Sequence, residues 1–589
     1  MNFIKTFFAS LLAFIVANIA VIFLFFAFVA GFAALAGMSS KAIVEPHSVL
    51  KIDLAESIVD QPVNDPLAGF DPMSMNVQKS VSNMQVMHAI EAAAQDENIE
   101  GIYINLTGTG TASAAILEEM RSYIETFKNE GKFVIAYNEM YTQGGYYLAS
   151  VADSIYLNPA GQLDWRGLAA QVMFYKGLLD KLGVEPQVFR HGTFKSAIEP
   201  YILNKMSPAN RTQMETYINS IWGTIVEGIA ESRNMSIDSL NMYASDLSAM
   251  QPEDALDKRM IDGLLYEDQV EDVMREKLAL DADEDIPFVT LGEYIAAKPY
   301  APTYSDNKIE VIYAEGQIVQ GPSANGTLGS ETLADQLAEA RMDEEVKAVV
   351  LRVNSPGGSA LASEVMWREM ELLRQQKPVI VSMGDYAASG GYYISAPADA
   401  IVADATTLTG SIGVFGMMFN AEKALQNKLG VTVDVAKSNP SADMGGVFRG
   451  VTSAEREFIM KGIEQVYTTF VNHVADGRNM TFDSVDAIGQ GRVWTGSDGK
   501  RIGLVDQIGG LKYAIAIAAD KAECIDDFMV RESLPEQTPL AAFLNSLQMR
   551  VSDRKIRKEM GVFYDDYCKL RALMENPGVQ ALAVPVKIQ

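Results

Sequence analysis

A duplication runs through most of this chain and restricts the folds open to it. Residues 138–157 and 382–403 share a Gly-Gly-Tyr-Tyr core, which begins at Gly144 in one copy and, 246 residues later, at Gly390 in the other. Three further pairs of similar segments follow in the same order: 180–184 with 427–431, 231–240 with 476–485, and 257–265 with 498–506. A shared order at a nearly constant spacing indicates a tandem repeat of one structural unit.

Both copies alternate short apolar runs with amphipathic stretches. The strand-like runs are residues 49–59 and 309–319, 99–106 and 346–354, and 133–138 and 378–383; residues 359–376 have a helical pattern. This alternation is typical of α/β folds with mainly parallel sheets. We assign the first repeat to residues 41–300 and the second to 301–535, with a polar, proline-containing linker near 298–307. Residues 536–589 match neither copy and form a C-terminal tail.

The N-terminus, residues 1–40, is predicted to be a membrane anchor. No charge occurs between Lys5 and Lys41, and residues 7–37 are almost wholly apolar. About 20 such residues span a bilayer, whereas the apolar part of a secretory signal is only about 7–15 residues long. The sequence Ala-Leu-Ala at 34–36 resembles a cleavage site, so a cleaved signal is the alternative. One lysine on each side is weak evidence for orientation, and the long chain that follows suggests export.

Composition excludes several kinds of partner and site. A net charge of −28 argues against nucleic acid, because phosphate binding needs clustered Lys and Arg. The two cysteines, Cys524 and Cys568, form no metal-ligand motif, and we expect no metal site and no cofactor. The chain has four histidines. His191 could support a site near it, and His473 is expected to be structural. Few histidines are therefore available to act as the base of a Ser-His-Asp triad.

Two small-residue blocks of the second copy follow predicted strands. Gly357 and Gly358 let the backbone turn sharply and direct N–H groups into a cleft, where they suit an oxyanion, a phosphate or a plain tight turn. Ser389 begins a predicted helix, where a serine is most often an N-cap. Its small neighbours leave room for a substrate, and open α/β sheets bind ligands at these strand ends. Ser389 is therefore the candidate nucleophile.

The repeat suggests a base for this serine. Alignment of the copies pairs Ser389 with Gln143, and pairs Lys195 of the first copy with Ala442 of the second. A lysine is by default a solvated surface residue. Lys195, however, is flanked by Phe194 and Ala197, and an apolar pocket lowers the pKa of a lysine toward the range of a useful base. One copy holds the candidate nucleophile and the other the candidate base, as in a divided active site.

These residues also carry a family resemblance. Residues 354–359, 388–393, 407–416 and 192–200 together resemble the signal peptide peptidase A (protease IV) family in its long, duplicated form, and the glycine blocks resemble the Clp protease subunit within the crotonase-like fold. The resemblance implies tandem crotonase/Clp-protease-like domains, with Ser389 as nucleophile, Lys195 as general base, and an oxyanion hole from N–H groups around Gly357, Gly358 and Gly390. Ser411, in a similar block, is expected to line the substrate groove or to serve structure.

The resemblance further implies degradation of cleaved signal peptides and other hydrophobic peptides. The enzyme would act on the extracytoplasmic (periplasmic) side of a bacterial inner membrane, as a tetramer. Two alternatives remain at this point. A crotonase-type acyl-CoA enzyme would need acidic catalysts, of which only Asp385 lies close to the site in sequence. An inactive membrane scaffold would leave the complementary placement of Ser389 and Lys195 unexplained.

Overall fold

The computed structural model of the chain describes residues 43–61, 70–71, 76–77, 80–108, 111–324, 326–534 and 579–583, with isolated residues elsewhere. In chain order its strands are β1 (Ser48–Ile52), β2 (Ser57–Val59), β3 (Phe70–Asp71), β4 (Asn76–Val77), β5 (Ser80–Ser82), β6 (Ile99–Ile104), β7 (Phe133–Tyr141), β8 (Ser154–Leu163), β9 (Glu185–His191), β10 (Gly263–Leu264), β11 (Phe288–Thr290), β12 (Lys308–Glu315), β13 (Gln317–Val319), β14 (Thr327–Gly329), β15 (Val346–Ser355), β16 (Gly357–Ser359), β17 (Val379–Ala388), β18 (Ala400–Ala403), β19 (Leu408–Gly410), β20 (Val414–Asn420), β21 (Val493–Thr495), β22 (Gln507–Ile508), β23 (Met529–Ser533) and β24 (Gln580–Leu582).

Several helices begin at hydroxyl side chains that accept a first-turn N–H, among them Ser82, Ser113 and Thr452. The helices are α1 (Asn83–Gln95), α2 (Ala114–Asn129), α3 (Gln143–Ala149), α4 (Lys176–Leu182), α5 (Glu199–Ile202), α6 (Pro208–Arg233), α7 (Ile237–Asp246), α8 (Pro252–Asp257), α9 (Glu267–Leu278), α10 (Leu291–Ala297), α11 (Ser330–Met342), α12 (Ala360–Arg374), α13 (Gly390–Ser395), α14 (Glu422–Ala424), α15 (Ser453–Arg478), α16 (Phe482–Ile488), α17 (Gly496–Arg501) and α18 (Leu511–Lys521). A π-helical turn, Leu425–Leu429, follows α14.

Each copy builds a sheet with the same strand order. The first is parallel throughout and runs β10–β8–β7–β6–β1–β11. In the second, β22–β18–β17–β15–β12–β23 repeats that order, and β19 and β21 extend it beyond β17. Four of the apolar runs predicted as strands, 99–106, 133–138, 346–354 and 378–383, lie in these two sheets. The other two, 49–59 and 309–319, each divide into two strands, and only the first of each, β1 and β12, belongs to them. Residues 360–374 form the predicted helix α12. In each copy the glycine block therefore follows the carboxyl end of a parallel strand.

A third sheet joins the two copies and the tail. Its order is β14–β13–β16–β24–β20–β9, with β9 from the first copy and β24 from the C-terminal tail. Strand β9 pairs antiparallel with β20, so that His191 lies opposite Val414. Two short pairs, β2–β5 and β3–β4, complete the described strands. Because β9 leads to Lys195 and β20 follows Ser411, this pairing brings those two residues together.

A buried ion cluster lies where the two copies meet. Arg352 of β15 donates to Asp60 and Glu119 of the first copy, with N···O distances of 2.7 Å to each carboxylate. Burial by itself raises the pKa of the Glu119 carboxyl, but the Arg352 charge and the N–H of Leu511 outweigh burial and lower it. A buried charge that lost its partner would destabilise the fold by several kcal/mol. The copies also share one apolar core, in which Ile104 and Val350 both lie.

The structure bears differently on the two ends of the chain, the predicted membrane anchor and the C-terminal tail. The predicted anchor, residues 7–37, lies outside the described residues apart from Phe14 and Val16. Within the part of the chain that the structure describes, none of the helices has both the length and the apolar character that a bilayer span requires. The tail, for which the sequence predicted no structure, contributes β24 to the third sheet.

Candidate active site

Ser389 lies on a strained turn between β17 and α13. Its backbone has φ 57° and ψ −113°, a conformation that costs a residue other than glycine roughly 1–3 kcal/mol and that is typical of functional sites. Its N–H donates to the carbonyl of Gly410 at 2.8 Å. Although Ser389 occupies the N-cap position of α13, its side chain makes no capping hydrogen bond. The hydroxyl is therefore left for another partner.

That partner is Lys195. Its Nζ donates to Ser389 Oγ at 2.7 Å, within the same chain. The amine makes two further hydrogen bonds, to the carbonyl and to the Oγ of Ser411, both at 3.1 Å. Strand β9 ends at His191, four residues before Lys195. The loop that follows is held by the N–H of Phe194, which donates to the carbonyl of Gln490. The structure thus brings together the two groups that the sequence placed in different copies.

Burial sets the protonation of Lys195. The side chain is 1% exposed, and burial lowers its pKa well below the ordinary value of a lysine. Two glycines permit this burial: a Cβ on Gly491 would lie 2.7 Å from Lys195 Cβ, and one on Gly413 would lie 3.4 Å from Lys195 Cδ. In the described residues no carboxylate forms a hydrogen bond or an ion pair with the amine. A neutral amine with a free lone pair is thereby favoured, and such an amine can take a proton from a hydroxyl.

The three predicted oxyanion glycines lie beside Ser389. Gly357 and Gly358 form β16, and Gly390 is the first residue of α13. Gly357 has φ 89°, and a Cβ there would collide with the amide nitrogen of Gly390, so only glycine allows this approach. The N–H of Gly357 already donates to Ser355 Oγ at 3.2 Å. Gly358 and Gly390 are consequently better placed than Gly357 to donate to a substrate oxygen.

Ser411 contacts the candidate base. This contact was not predicted, because the sequence around Ser411 gives no indication that Lys195, 216 positions earlier, lies against it. Ser411 was expected to line the substrate groove or to serve structure, and its hydrogen bonds with Lys195 do not test the groove-lining role. Gly491 was also missed. Its one sequence signal is a pair of glycines, Gly489 and Gly491, between a helix and a strand.

Other candidate groups lie away from the Ser389 hydroxyl. His191 Nδ1 is 2.7 Å from Glu464 Oε2, and His473 stacks on Trp367 at 3.5 Å. Asp385, on which the acyl-CoA alternative depended, accepts a hydrogen bond from the N–H of Ala115 at 3.2 Å. None of the three has a described hydrogen bond to Ser389 or Lys195. These contacts agree with a structural role for His473 and give the alternative no acid at the site.

Gln143 and Ala442 align with Ser389 and Lys195 in the repeat, but their surroundings differ from those of the candidate dyad. The side chain of Gln143 bonds the backbone of Arg166 and Gly167, with the Gly167 N–H donating to its Oε1 at 2.8 Å. Ala442 is exposed, in a segment without regular structure. The repeat therefore identified the two chemical groups but not their contact, which comes from the pairing of β9 with β20.

Comparisons with known proteins give the family. The model of peptidase family S49 matches the chain twice, at residues 126–281 and 371–524. The chain is 37% identical over 510 residues to protease 4 of Salmonella typhi, covering 83% of this chain and 80% of that protein. It is 33% identical to the chloroplastic serine protease SPPA of Arabidopsis thaliana, covering 81% and 70% respectively.

A solved structure offers a weaker similarity. A ClpP1 mutant from Listeria monocytogenes has a TM-score of 0.24 and 13% identity, covering 35% of this chain and 94% of that one. This value is too low to support the Clp-like part of the fold prediction. The α/β fold and the duplication stand on the sheets and on the two family matches. With both halves matched and relatives aligned over most of its length, this chain belongs to peptidase family S49, in the duplicated form related to protease 4, and it is a serine peptidase.

Proposed function

We propose that this serine peptidase is a membrane-tethered endopeptidase that uses Ser389 and Lys195 as a catalytic dyad to degrade cleaved signal peptides and other hydrophobic peptides. The observation that carries the dyad is the 2.7 Å hydrogen bond between the buried Lys195 amine and Ser389 Oγ. A serine needs a neighbouring base to become nucleophilic, and a lysine serves only when its pKa is lowered. Burial of Lys195 provides that condition.

The reaction is acyl transfer to water. Neutral Lys195 takes the Ser389 proton as Oγ attacks the peptide carbonyl, and the tetrahedral oxyanion accepts hydrogen bonds from the N–H groups of Gly358 and Gly390. Lys195 then gives its proton to the leaving amine, and the acyl-enzyme forms. Water attacks the ester with Lys195 again as the base, which releases the new carboxylate and restores the Ser389 hydroxyl.

Ser411 and Gly491 position the base in this scheme. Ser411 offers two oxygens to the Lys195 amine, its carbonyl and its Oγ. In the reacting state the two N–H bonds of the neutral amine are directed to these oxygens, so that its lone pair faces the Ser389 hydroxyl in place of the N–H. Because Gly491 has no side chain, the Lys195 backbone can pack against the Gly491 Cα. Both residues come from the second copy, as Ser389 does. The base of the first copy is thus oriented by the copy that carries the nucleophile.

The location and assembly are also proposals. We infer a single N-terminal span at residues 7–37, with the peptidase on the extracytoplasmic side of a bacterial inner membrane, because this run carries no charge. We expect the full chain to stay in the membrane fraction after an alkaline carbonate wash and to be digested when protease is added to spheroplasts. Release by the wash, or protection from the protease, would contradict this location. We also infer a tetramer, and light scattering of the detergent-solubilised chain measures its mass.

The substrate class can be measured with paired peptides. We expect a synthetic signal peptide to be hydrolysed with a kcat/KM at least about tenfold higher than a peptide of equal length whose apolar core is replaced by Ser and Glu. The reason is that each buried CH₂ contributes about 0.8 kcal/mol to binding in an apolar groove. Ser389→Ala serves as the inactive control. Equal hydrolysis of the two peptides would contradict the hydrophobic specificity and leave the dyad standing.

A further inference from the structure

A buried glutamine bonds to the chain on both sides of Lys195. Gln213 lies in the second turn of α6 and is 2% exposed. Its Nε2 donates to the carbonyl of Phe194 at 3.1 Å and to Ser196 Oγ at 2.9 Å. The two residues that flank Lys195 therefore share one donor, and the position of the Lys195 backbone depends on the position of this amide.

The other end of the amide reaches the second copy. Gln213 Oε1 accepts a hydrogen bond from the N–H of Val493 at 3.2 Å. Val493 pairs with Gly410 across β21 and β19, and the carbonyl of Gly410 accepts the N–H of Ser389 at 2.8 Å. One side chain thus connects the loop that carries the candidate base with the strand pair that holds the turn of the candidate nucleophile.

The neighbours of Gln213 fix the orientation of its amide. The Phe194 carbonyl can only accept and the Val493 N–H can only donate, so Nε2 must face the first and Oε1 the second. Nε2 also donates to Asn210 Oδ1 at 3.1 Å, and Asn210 Nδ2 donates to Oε2 of the buried Glu199 at 3.0 Å. A buried polar network whose members are all bonded is rigid. The amide of Gln213 is therefore held in one place.

The repeat shows that this glutamine accompanies the lysine. Helices α6 and α15 both have 26 residues and both end at an arginine followed by Asn-Met, which aligns Gln213 with Phe458. Phe458 is 67% exposed, in the copy that has Ala442 where the first copy has Lys195. If the glutamine served its helix alone, we would expect the equivalent helix to bury a residue at the same position. The buried amide thus occurs in the copy that carries the candidate base.

We propose that Gln213 is a positioning residue for the base: it holds the Lys195 loop against β21 and so sets the separation between Lys195 Nζ and Ser389 Oγ. This inference rests on the proposed dyad. Gln213 is uncharged and has no described hydrogen bond to either of those two atoms, so it acts through the backbone around Lys195. A misplacement of about 1 Å can lower the rate of a reaction by about 100-fold.

Labelling of Ser389 by a fluorophosphonate, which reacts with activated serines, tests this role in the full chain. Gln213→Met keeps the length of the side chain and removes both ends of the amide. The control is Gln336→Met, because the buried Gln336 also donates to a carbonyl and a hydroxyl, both of Ser533, and has no described contact with the site.

We expect the labelling rate to fall at least about 30-fold in Gln213→Met and less than about threefold in Gln336→Met. A fall in Gln213→Met no larger than that in the control would overturn the proposal.

A double variant separates positioning from folding. In Lys195→Met there is no base to position, so the addition of Gln213→Met should change the labelling rate by less than about twofold. A second fall as large as the first would show that Gln213 acts on the fold or on Ser389 itself, and would overturn the proposal. If Lys195→Met is labelled as fast as wild type, the proposed dyad itself fails.

A milder variant keeps the proposal testable if Gln213→Met does not fold. Ser196→Ala removes one of the two contacts beside Lys195 and leaves the Gln213 amide bonded to Phe194 and Val493. We expect its labelling rate to fall at least about threefold, as for the loss of one hydrogen bond, with the melting temperature unchanged. An unchanged labelling rate would show that these contacts do not set the position of Lys195, and would overturn the proposal.

Discussion

Ser389→Ala is expected to lower kcat for peptide hydrolysis by at least about 10⁴-fold, because it removes the proposed nucleophile of the acyl transfer. The double variant Ser389→Ala, Lys195→Ala should be no slower than Ser389→Ala alone, since the two groups act as a unit. Steady-state hydrolysis of a signal peptide measures both. Effects that multiply in the double variant would show that Lys195 acts independently of Ser389.

A second buried serine on the same helix supplies the control. Ser395 is fully buried in α13, and its Oγ donates to the carbonyl of Gly391 at 2.7 Å. It has no described contact with Lys195. We expect Ser395→Ala to keep at least about a tenth of the wild-type rate, because it loses one ordinary hydrogen bond of about 1 kcal/mol. If Ser395→Ala lost as much activity as Ser389→Ala, this region would not tolerate replacement of a serine by alanine. The low activity of Ser389→Ala would then reflect misfolding.

Lys195→Arg is expected to be inactive at every pH, by at least about 10³-fold. A guanidinium keeps its proton throughout the accessible range and cannot act as a base. In wild type the proposed base is the neutral amine of Lys195, and burial lowers the pKa of this group. The rate kcat/KM should therefore rise with pH as Lys195 loses its proton and level off above that lowered pKa. A pH–rate profile of both proteins measures this, and activity of Lys195→Arg at high pH would contradict it.

The same pKa shift predicts the stability of a Lys195 variant. Between the lowered folded pKa and the ordinary value, the unfolded chain binds a proton that the folded chain lacks, so the stability contributed by this group rises with pH. Below that window, the folded state must bury a charge or give up the site. Lys195→Met removes this cost. Its melting temperature at neutral pH should be at least that of wild type, so its loss of activity is not a loss of folding.

The sequence was sufficient for the parts of the fold that each copy repeats. Apolar runs and glycine blocks report on neighbouring residues, and the repeat compares two versions of the same surroundings. That comparison identified Ser389 and Lys195, because the aligned residues of the other copy, Gln143 and Ala442, lack the same chemical groups. It could not predict the distance between Ser389 and Lys195, because β9 and β20 pair across the copies and lie more than 200 positions apart.

Three features had no signal that the sequence could supply. The ion cluster of Arg352 joins carboxylates 233 and 292 positions away. The fold of the tail as β24 has no counterpart in either copy. The positive φ of Ser389 depends on the turn that β17 and α13 together impose. Each of these features is fixed by the tertiary arrangement, whereas the pattern of residues around it is ordinary.

The reactivity of Ser389 toward a fluorophosphonate probe tests the central claim most directly, because it reports the nucleophile and its base without the need for a substrate. The labelling rate of full-length wild type and Lys195→Met is measured across pH, and peptide mapping locates the label. We predict labelling of Ser389 in wild type, with a rate that rises through one lowered pKa, and labelling of Lys195→Met at least about 10³-fold slower at all pH values. Equal labelling of Ser389 in the two proteins would contradict the dyad.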